Sequence, residues 1–513
     1  MSNKHATNKI LYLATVLLYS IINNVCANDL PDLGDVSQAS ISLHEERQLG
    51  LQIMSEIRTD SSYLDDTEIT GYLTNLGNKL IAGSSEARPD QTFEFFSLTD
   101  PSVNAFALPG GFMGFNSGLI MTAQSESELA GVMAHEISHV TQKHLARMIS
   151  TQKYSMATTL ASLALAVLAS RANSQAGAAV MAVTQATAIQ LQLNFTRDHE
   201  KEADRIGLNV LINAGFDPRG MSTFFGRLQT IGRFQDNGAP SYLRTHPLTF
   251  ERIADIDNRI QNTLYRQVPD SIDFRLVRAK LRASEGKARD AVMHFDANLR
   301  DKRYSDETVE RYGLVNALLR DGDFVRASKE LMLLYESPQP DSINKKSGNL
   351  YLGVPIRVER KALKSNAMIE TLSARVKLST GEIAEALDIY QAALQIYPQH
   401  RTLIYDYATA LLRNGRKNTA LKFLSQELLS APNDARLYKL QAQSYEALGN
   451  NMLQHRAQAE VYFQQGDLHA AITQLETGLK TGDGDFYQMS GMEARLKKLR
   501  EIAADGKKKI KFW

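Results

Sequence analysis

Residues 125–140 read Ser-Glu-Ser-Glu-Leu-Ala-Gly-Val-Met-Ala-His-Glu-Ile-Ser-His-Val. Ser125 and Glu128 have the spacing of a capping box, which starts a helix. Leu129, Val132, Met133, Ile137 and Val140 recur at helical spacing and predict a buried face. His135 and His139 lie four residues apart, so both project from one side of that helix. Two imidazoles so placed can bind one Zn²⁺. Glu136 sits about 100° around the helix, within reach of a metal-held water without being a ligand. The metal acidifies the water and the carboxylate takes its proton, so Glu136 is the candidate general base.

A catalytic zinc needs a third protein ligand. His144 is one candidate, but Gln142 and Leu145 break the metzincin spacing that would recruit a later His. Glu200 is the better one. It opens a second helix that stops at Gly215-Phe216-Asp217-Pro218. Asp204 follows on the same face, placed to accept the free N–H of a ligand His. Glu202 points to the opposite side and ranks below Glu200.

Working outward, residues 40–85 read as helical, with Leu49, Ile53, Ile57, Ile69, Leu73, Leu76 and Leu80 in register. Residues 93–120 turn aromatic and β-prone. Pro109-Gly110-Gly111 marks a turn before Phe112, which predicts a small sheet with at least one hairpin. The apolar Met156–Ser170 stretch and the small-residue run to Ala178 are too short to span a membrane and read as a helical hairpin or lid. Residues 261–272 read as a linker.

Beyond it a repeat appears. Gly381, Gly415 and Gly449 are spaced 34 apart, as are Ala374 and Ala408, and Pro398 and Pro432. That is the period of tetratricopeptide repeats. A Gly followed five residues later by Ala recurs at Gly286, Gly322, Gly381, Gly415 and Gly466. The Gly allows a tight turn and the Ala lets paired helices approach. Gly449 has Gln454 instead, so about four to six units are expected, some degenerate. Such a stack offers a protein-binding surface. The end, Lys507-Lys508-Lys509-Ile510-Lys511, is a basic tail read as solvated, with a membrane-surface contact the less favoured reading.

Composition bounds the rest. The chain has 513 residues, 43% hydrophobic and 22% charged, long enough for about three domains. With 58 Lys and Arg against 57 Asp and Glu, attraction to nucleic acid is not indicated. One Cys excludes an intramolecular disulfide and a thiolate cluster, so a metal must use His and carboxylate. Lys4 and Lys9, the apolar run Ile10–Ile22 and Val25-Cys26-Ala27 make a secretory signal peptide over residues 1–27. Its removal leaves 56 basic against 57 acidic residues and no Cys, which suits an oxidising compartment. Export to the periplasm of a Gram-negative cell follows as an expectation. No Gly-rich phosphate loop is apparent, and Gly114–Gly118 does not fit a serine nucleophile elbow.

Signal peptide, His135–His139, the Glu200–Asp204 segment and the repeats together resemble the Ste-type His-Glu-x-x-His metallopeptidases. More narrowly they resemble the periplasmic β-barrel assembly-enhancing proteases. The resemblance runs over nearly the whole chain, strongly in the protease half and loosely in the repeats. It implies a mainly α fold: an α+β gluzincin metalloprotease domain with a small β-sheet, followed by an all-α tetratricopeptide-repeat solenoid. The expected divisions are 28–265 for the protease, 271–480 for the repeats and 481–513 for a C-terminal helix and basic tail. It implies one Zn²⁺ per chain on His135, His139 and Glu200, with Glu136 as base. Asn104, Ala105, Phe106 and Ala107 would form the edge strand that pairs with substrate backbone. His246, in Thr245-His246-Pro247, would cap the zinc as a fourth ligand and hold the enzyme latent, because catalytic zinc needs an open position. Arg252 in the same segment would bind substrate or fix the loop. The resemblance further implies unfolded or stalled outer-membrane proteins as clients and the outer-membrane β-barrel assembly machinery as partner of the repeats. The alternative is a non-proteolytic repeat scaffold or chaperone with a structural metal site. Intact Glu136 favours the protease, since a structural zinc has no need of that carboxylate.

Overall fold

A computed structural model of the chain describes residues 42–151, 197–234, 240–261, 263, 268–336 and 366–510. The segment 1–27 read as a signal peptide, the 156–178 stretch and the tail from Lys511 lie outside the described residues. Helix α1 (Leu43–Thr59) buries Ile53, Met54 and Ile57 on one face. That face packs on Phe96, Leu98, Leu108 and Phe112 of the sheet. Helix α2 (Thr67–Ala82) starts at Asp66, whose carboxylate accepts the N–H groups of Glu68 and Ile69 at 3.0 and 3.2 Å.

The sheet has strands β1 (Glu94–Leu98), β2 (Ala105–Leu108) and β3 (Phe112–Asn116) in the order β1-β3-β2. β1 pairs with β3 in parallel and β2 pairs with β3 antiparallel. The expected hairpin is present: a 3₁₀ turn over Pro109–Gly111 joins β2 to β3, with Gly110 and Gly111 at φ 73° and 78°. β2 is therefore an edge strand. Arg47 and Arg58 both reach Glu94, at 3.0 and 2.7 Å, and fasten α1 to the opposite edge.

A short helix α3 (Ser117–Thr122) leads to α4 (Glu126–Thr141), which carries the His-Glu-x-x-His stretch. The capping box is half realised. Ser125 Oγ accepts from Glu128 N at 3.3 Å, but Glu128 turns back to Gln124 N at 2.7 Å and pairs with Arg227. Nearly all of α4 is buried, so it is the central helix of this half, not an amphipathic surface helix. Around it stand α5 (His144–Thr151), α6 (Arg197–Asn213), α7 (Arg219–Phe234), the short α8 (Ser241–Thr245) and α9 (Phe250–Ile260). Gly207 of α6 sets the closest approach. A Cβ there would lie 3.1 Å from the Ala134 carbonyl carbon and the His135 Cα, tighter than ordinary van der Waals contact, so a side chain would push α6 and α4 apart by a few tenths of an ångström. Asp204 and Glu200, about one and two turns earlier, lie beside the two histidines.

The remaining described helices pair off: α10 (Ile272–Ser284), α11 (Ala288–Arg300), α12 (Glu307–Asp321), α13 (Phe324–Glu336), α14 (Ala367–Ser379), α15 (Ile383–Ile396), α16 (Arg401–Arg413), α17 (Lys417–Ser430), α18 (Ala435–Leu448), α19 (Asn451–Gln464) and α20 (Leu468–Gly478), closed by α21 (Phe486–Ile510). The repeat glycines from Gly286 to Gly466 all take positive φ at the turns, and their partner alanines, Ala291, Ala327, Ala386, Ala420 and Ala471, are buried. Turn and contact thus fall where the Gly–Ala spacing predicts them.

The core does not stop at the change of architecture. One apolar cluster runs from Ile69 and Leu73 through Leu129 and Ile137 to Phe274, Leu314 and Val376. The segment read as a linker is anchored as well. Ser271 caps α10 and gives its N–H and hydroxyl to Glu126 at 3.0 and 2.7 Å, while Asp270 accepts from Glu126 N at 2.7 Å. Lys280 is buried against Asp66 at 2.6 Å and against Glu68. Among the described residues no helix is long and apolar enough to cross a membrane.

Candidate metal centre

α4 and α6 bring His135, His139 and Glu200 to one point, and the residue after α8 adds His246. Each offers one ligand atom, and these atoms lie within 4.8 Å of one another. All four residues are buried, at 0, 2, 1 and 1% exposure, so water does not satisfy them from outside. His135 Nε2 and His139 Nε2 are 3.0 Å apart. Glu200 stands 3.4 Å from the first through Oε2 and 3.5 Å from the second through Oε1. Ligand atoms held by zinc at 2.0–2.1 Å in a tetrahedron are separated by roughly 3.3 Å. The donor spacing therefore fits one such cation.

The charges fit it too. Burial would raise the Glu200 carboxyl, but His246 and His135 hold it well below its ordinary value. Burial acts to lower His135, yet Asp204 and Glu200 push it up to about 9. Burial and the neighbouring His135 drive His139 well below the ordinary imidazole range. The cluster thus stabilises positive charge among nitrogen and oxygen donors, and a divalent ion meets that demand more completely than one proton does.

Behind the donors stands a supporting layer. Asp204 Oδ1 lies 3.0 Å from His135 Nδ1. Arg252 grips Asp204 and also reaches Glu200 Oε2 at 2.7 Å and the Pro247 carbonyl at 2.8 Å. It therefore fixes the loop next to His246 to the helix that carries Glu200, one of the two roles its sequence position suggested. His144 and Glu202 fall outside the donor group. They meet each other at 3.1 Å, and His144 Nδ1 lies 2.9 Å from His139 Nδ1. Burial brings the His144 imidazole down to about 4.

Glu136 is fully buried beside the donors. Burial raises its carboxyl above the ordinary range, while the neighbouring His246 and His135 pull it back. His246 stands between the two acids: its Nε2 is 3.5 Å from Glu136 Oε1 and its Nδ1 is 3.0 Å from Glu200 Oε1. Tyr242 stacks on the His246 ring, with centroids 4.7 Å apart and planes at 25°. Sequence reasoning passed over Tyr242; no motif marks it. The Tyr242 N–H donates to Val103 O at 3.1 Å, which ties α8 to the chain just ahead of β2. Asn104, Ala105, Phe106 and Ala107 lie along that edge, and β2 packs beside α4. The Asn104 side-chain oxygen is buried without a hydrogen bond.

The profile of peptidase family M48 matches residues 69–260, and that of the tetratricopeptide repeat matches residues 377–444. The beta-barrel assembly-enhancing protease of Escherichia coli strain K12 is 30% identical over 484 residues, 93% of this chain and 92% of that one. A Vibrio cholerae relative is 33% identical over 448 residues, 86% of either chain. The mitochondrial metalloendopeptidase OMA1 of Arabidopsis thaliana is 33% identical over 156 residues, 30% of this chain and 29% of that one.

Proposed function

The chain belongs to the beta-barrel assembly-enhancing proteases, metalloendopeptidases with an M48 domain and tetratricopeptide repeats, and we propose that it works in the periplasm as a zinc enzyme that promotes assembly of outer-membrane β-barrel proteins and degrades misassembled ones. His135, His139 and Glu200 would hold one zinc, and Glu136 would be the general base. The observation that carries this reading is the Glu136 carboxyl, fully buried beside the donor group without being one of its four members. Burying an acid costs stability, and an arrangement that only held a structural ion would gain nothing from it.

Bound zinc supplies Lewis acidity, lowering the pKa of water at its open position toward about 7. The chain's own residues do the rest. The β2 edge takes an extended peptide as an added strand and sets its scissile bond beside α4. Glu136 removes a proton from the attacking water, and its raised pKa suits it to return that proton to the leaving amine. Asp204 orients His135, and Arg252 keeps Asp204 and Glu200 charged. His246 completes a four-donor set, which is the closed arrangement of a resting enzyme. Its withdrawal with α8 opens the site and releases the Val103 carbonyl at the strand edge. The repeats would dock the enzyme to the outer-membrane assembly machinery or deliver clients to it.

The same four-donor set is what a structural site in a non-proteolytic scaffold would have, so one experiment separates the two readings. Zinc-supplied mature wild type, His246→Ala and Glu136→Gln are incubated with an unfolded outer-membrane barrel protein, and cleavage is followed on a gel. Cleavage stronger in His246→Ala than in wild type, and none in Glu136→Gln, is the expected result. No cleavage by any form that carries zinc would leave the scaffold. Equal cleavage by wild type and His246→Ala would keep the protease and remove the gate.

A further inference from the structure

The two histidines of the donor group are supported differently. A ligand imidazole must present an unprotonated nitrogen, and the partner of its other nitrogen fixes that tautomer. His135 Nδ1 has the Asp204 carboxylate at 3.0 Å. His139 Nδ1 has a third imidazole instead, His144 Nδ1 at 2.9 Å. Two neutral ring nitrogens at that distance share one proton: one donates and the other accepts. His139 turns its Nε2 toward His135 and Glu200, so its proton belongs on Nδ1. His144 must then accept on Nδ1 and carry its own proton on Nε2. That nitrogen lies 3.1 Å from Glu202 Oε2, and an ionised carboxylate can only accept. Arg147 donates to the same oxygen at 3.1 Å and keeps it charged.

We propose that His144 is a positioning residue for the metal, the middle of a relay from Glu202 through His144 to His139 that holds His139 as its Nδ1–H tautomer. The backbone builds the relay on purpose. α4 ends at Thr141, Lys143 takes φ 53°, and α5 begins at His144, so the chain doubles back and returns an imidazole behind the one it has just placed. The His144 ring is fully buried and lies flat on His199, with centroids 4.4 Å apart and planes at 18°, which leaves it little freedom to rotate out of line. Two acids on one helix thus serve the site by different routes, Glu200 directly and Glu202 through His144. The inference rests on His139 being a zinc ligand.

The test uses zinc-loaded mature enzyme titrated with a chromophoric chelator, beside the ¹⁵N imidazole spectrum of the same protein. His144→Ala should loosen zinc about 10–100-fold, the usual effect of removing a ligand's hydrogen-bond partner. His144→Asn, whose side-chain oxygen can take the place of Nδ1 as acceptor, should recover most of that loss. In wild type the His144 ring should be protonated at Nε2 and bare at Nδ1. Zinc held as tightly by His144→Ala as by wild type, Asn no better than Ala, or a His144 ring protonated at Nδ1 would each overturn the relay. If His144→Ala does not fold, the wild-type spectrum decides alone. His139→Ala is the control for the underlying reading: undiminished zinc binding there would remove His139 as a ligand, whatever His144 does.

Discussion

Arg252 holds Asp204 by two parallel hydrogen bonds, Nε to Oδ2 at 2.6 Å and Nη2 to Oδ1 at 2.8 Å, and both residues are buried. The pair matters because of what each partner does next. Asp204 orients His135, and Arg252 ties Pro247 and Glu200 together. Removing one member of such a pair leaves the other charged and dry, at a cost of about 3–5 kcal/mol. Arg252→Ala should therefore lower the unfolding free energy by an amount of that order in a denaturant titration. The double variant with Asp204→Ala should lose less than the two single losses together, because no orphan charge remains. Simple additivity would mean the two residues act independently.

Glu136 gives a trade-off between stability and activity. Its carboxyl is raised by burial, so its surroundings disfavour the ionised form that a general base needs. Glu136→Gln keeps the shape and removes the charge. Cleavage should fall about 10²–10⁴-fold, the share usual for a general base. The metal-free variant should nonetheless melt at or above the wild-type temperature in calorimetry. A marked drop in melting temperature would mean that the carboxylate supports the fold and is not held there for chemistry.

The junction between the two architectures should titrate with acid. Burial would raise Asp66, but the ammonium of Lys280 holds it below its ordinary value of 3.8. A depressed carboxylate contributes stability above its unfolded value, and the contribution fades as pH falls through the folded one. Wild type should therefore be more stable than Lys280→Met at pH 6, with the gap closing below about pH 4. Denaturant midpoints of both proteins from pH 7 to pH 2.5 would show it. A gap independent of pH would assign the loss to packing alone.

How much of this was legible beforehand depends on distance along the chain. The α4 start, the two histidines on one face and the Gly–Ala rhythm of the repeats are local patterns, and spacing alone carries them. Glu200 and Asp204 were legible because their own helix puts them on one side. The partnership of His144 with Glu202 was not, since it joins residues 58 apart in sequence and each read singly as a weaker ligand. Tyr242, Glu126 and Lys280 were silent for the same reason: what they do is decided by packing across elements. The half-formed capping box shows the limit even of local rules, as Arg227 from α7 claims the Glu128 carboxylate.

Glu126 links α4 to α10. It is the first residue of α4, nine before His135, and its carboxylate accepts from Tyr72 Oη at 3.0 Å and from the Ser271 N–H and hydroxyl at 3.0 and 2.7 Å. Ser271 in turn caps α10. The acid also lies at the positive end of the α4 dipole. Glu126→Ala strips three donors of their acceptor in a buried place and should cost about 2–4 kcal/mol, given about 1–3 for each group left unsatisfied and partial relaxation. Ser271→Ala removes one cap and one bond and should cost about 1 kcal/mol. The sharper readout is amide hydrogen exchange. If the link is real, Glu126→Ala should speed exchange at the N-termini of α4 and α10 together, and Ser271→Ala should do the same more weakly. Faster exchange confined to α10 in both variants would show that α10 hangs on α4 without steadying it.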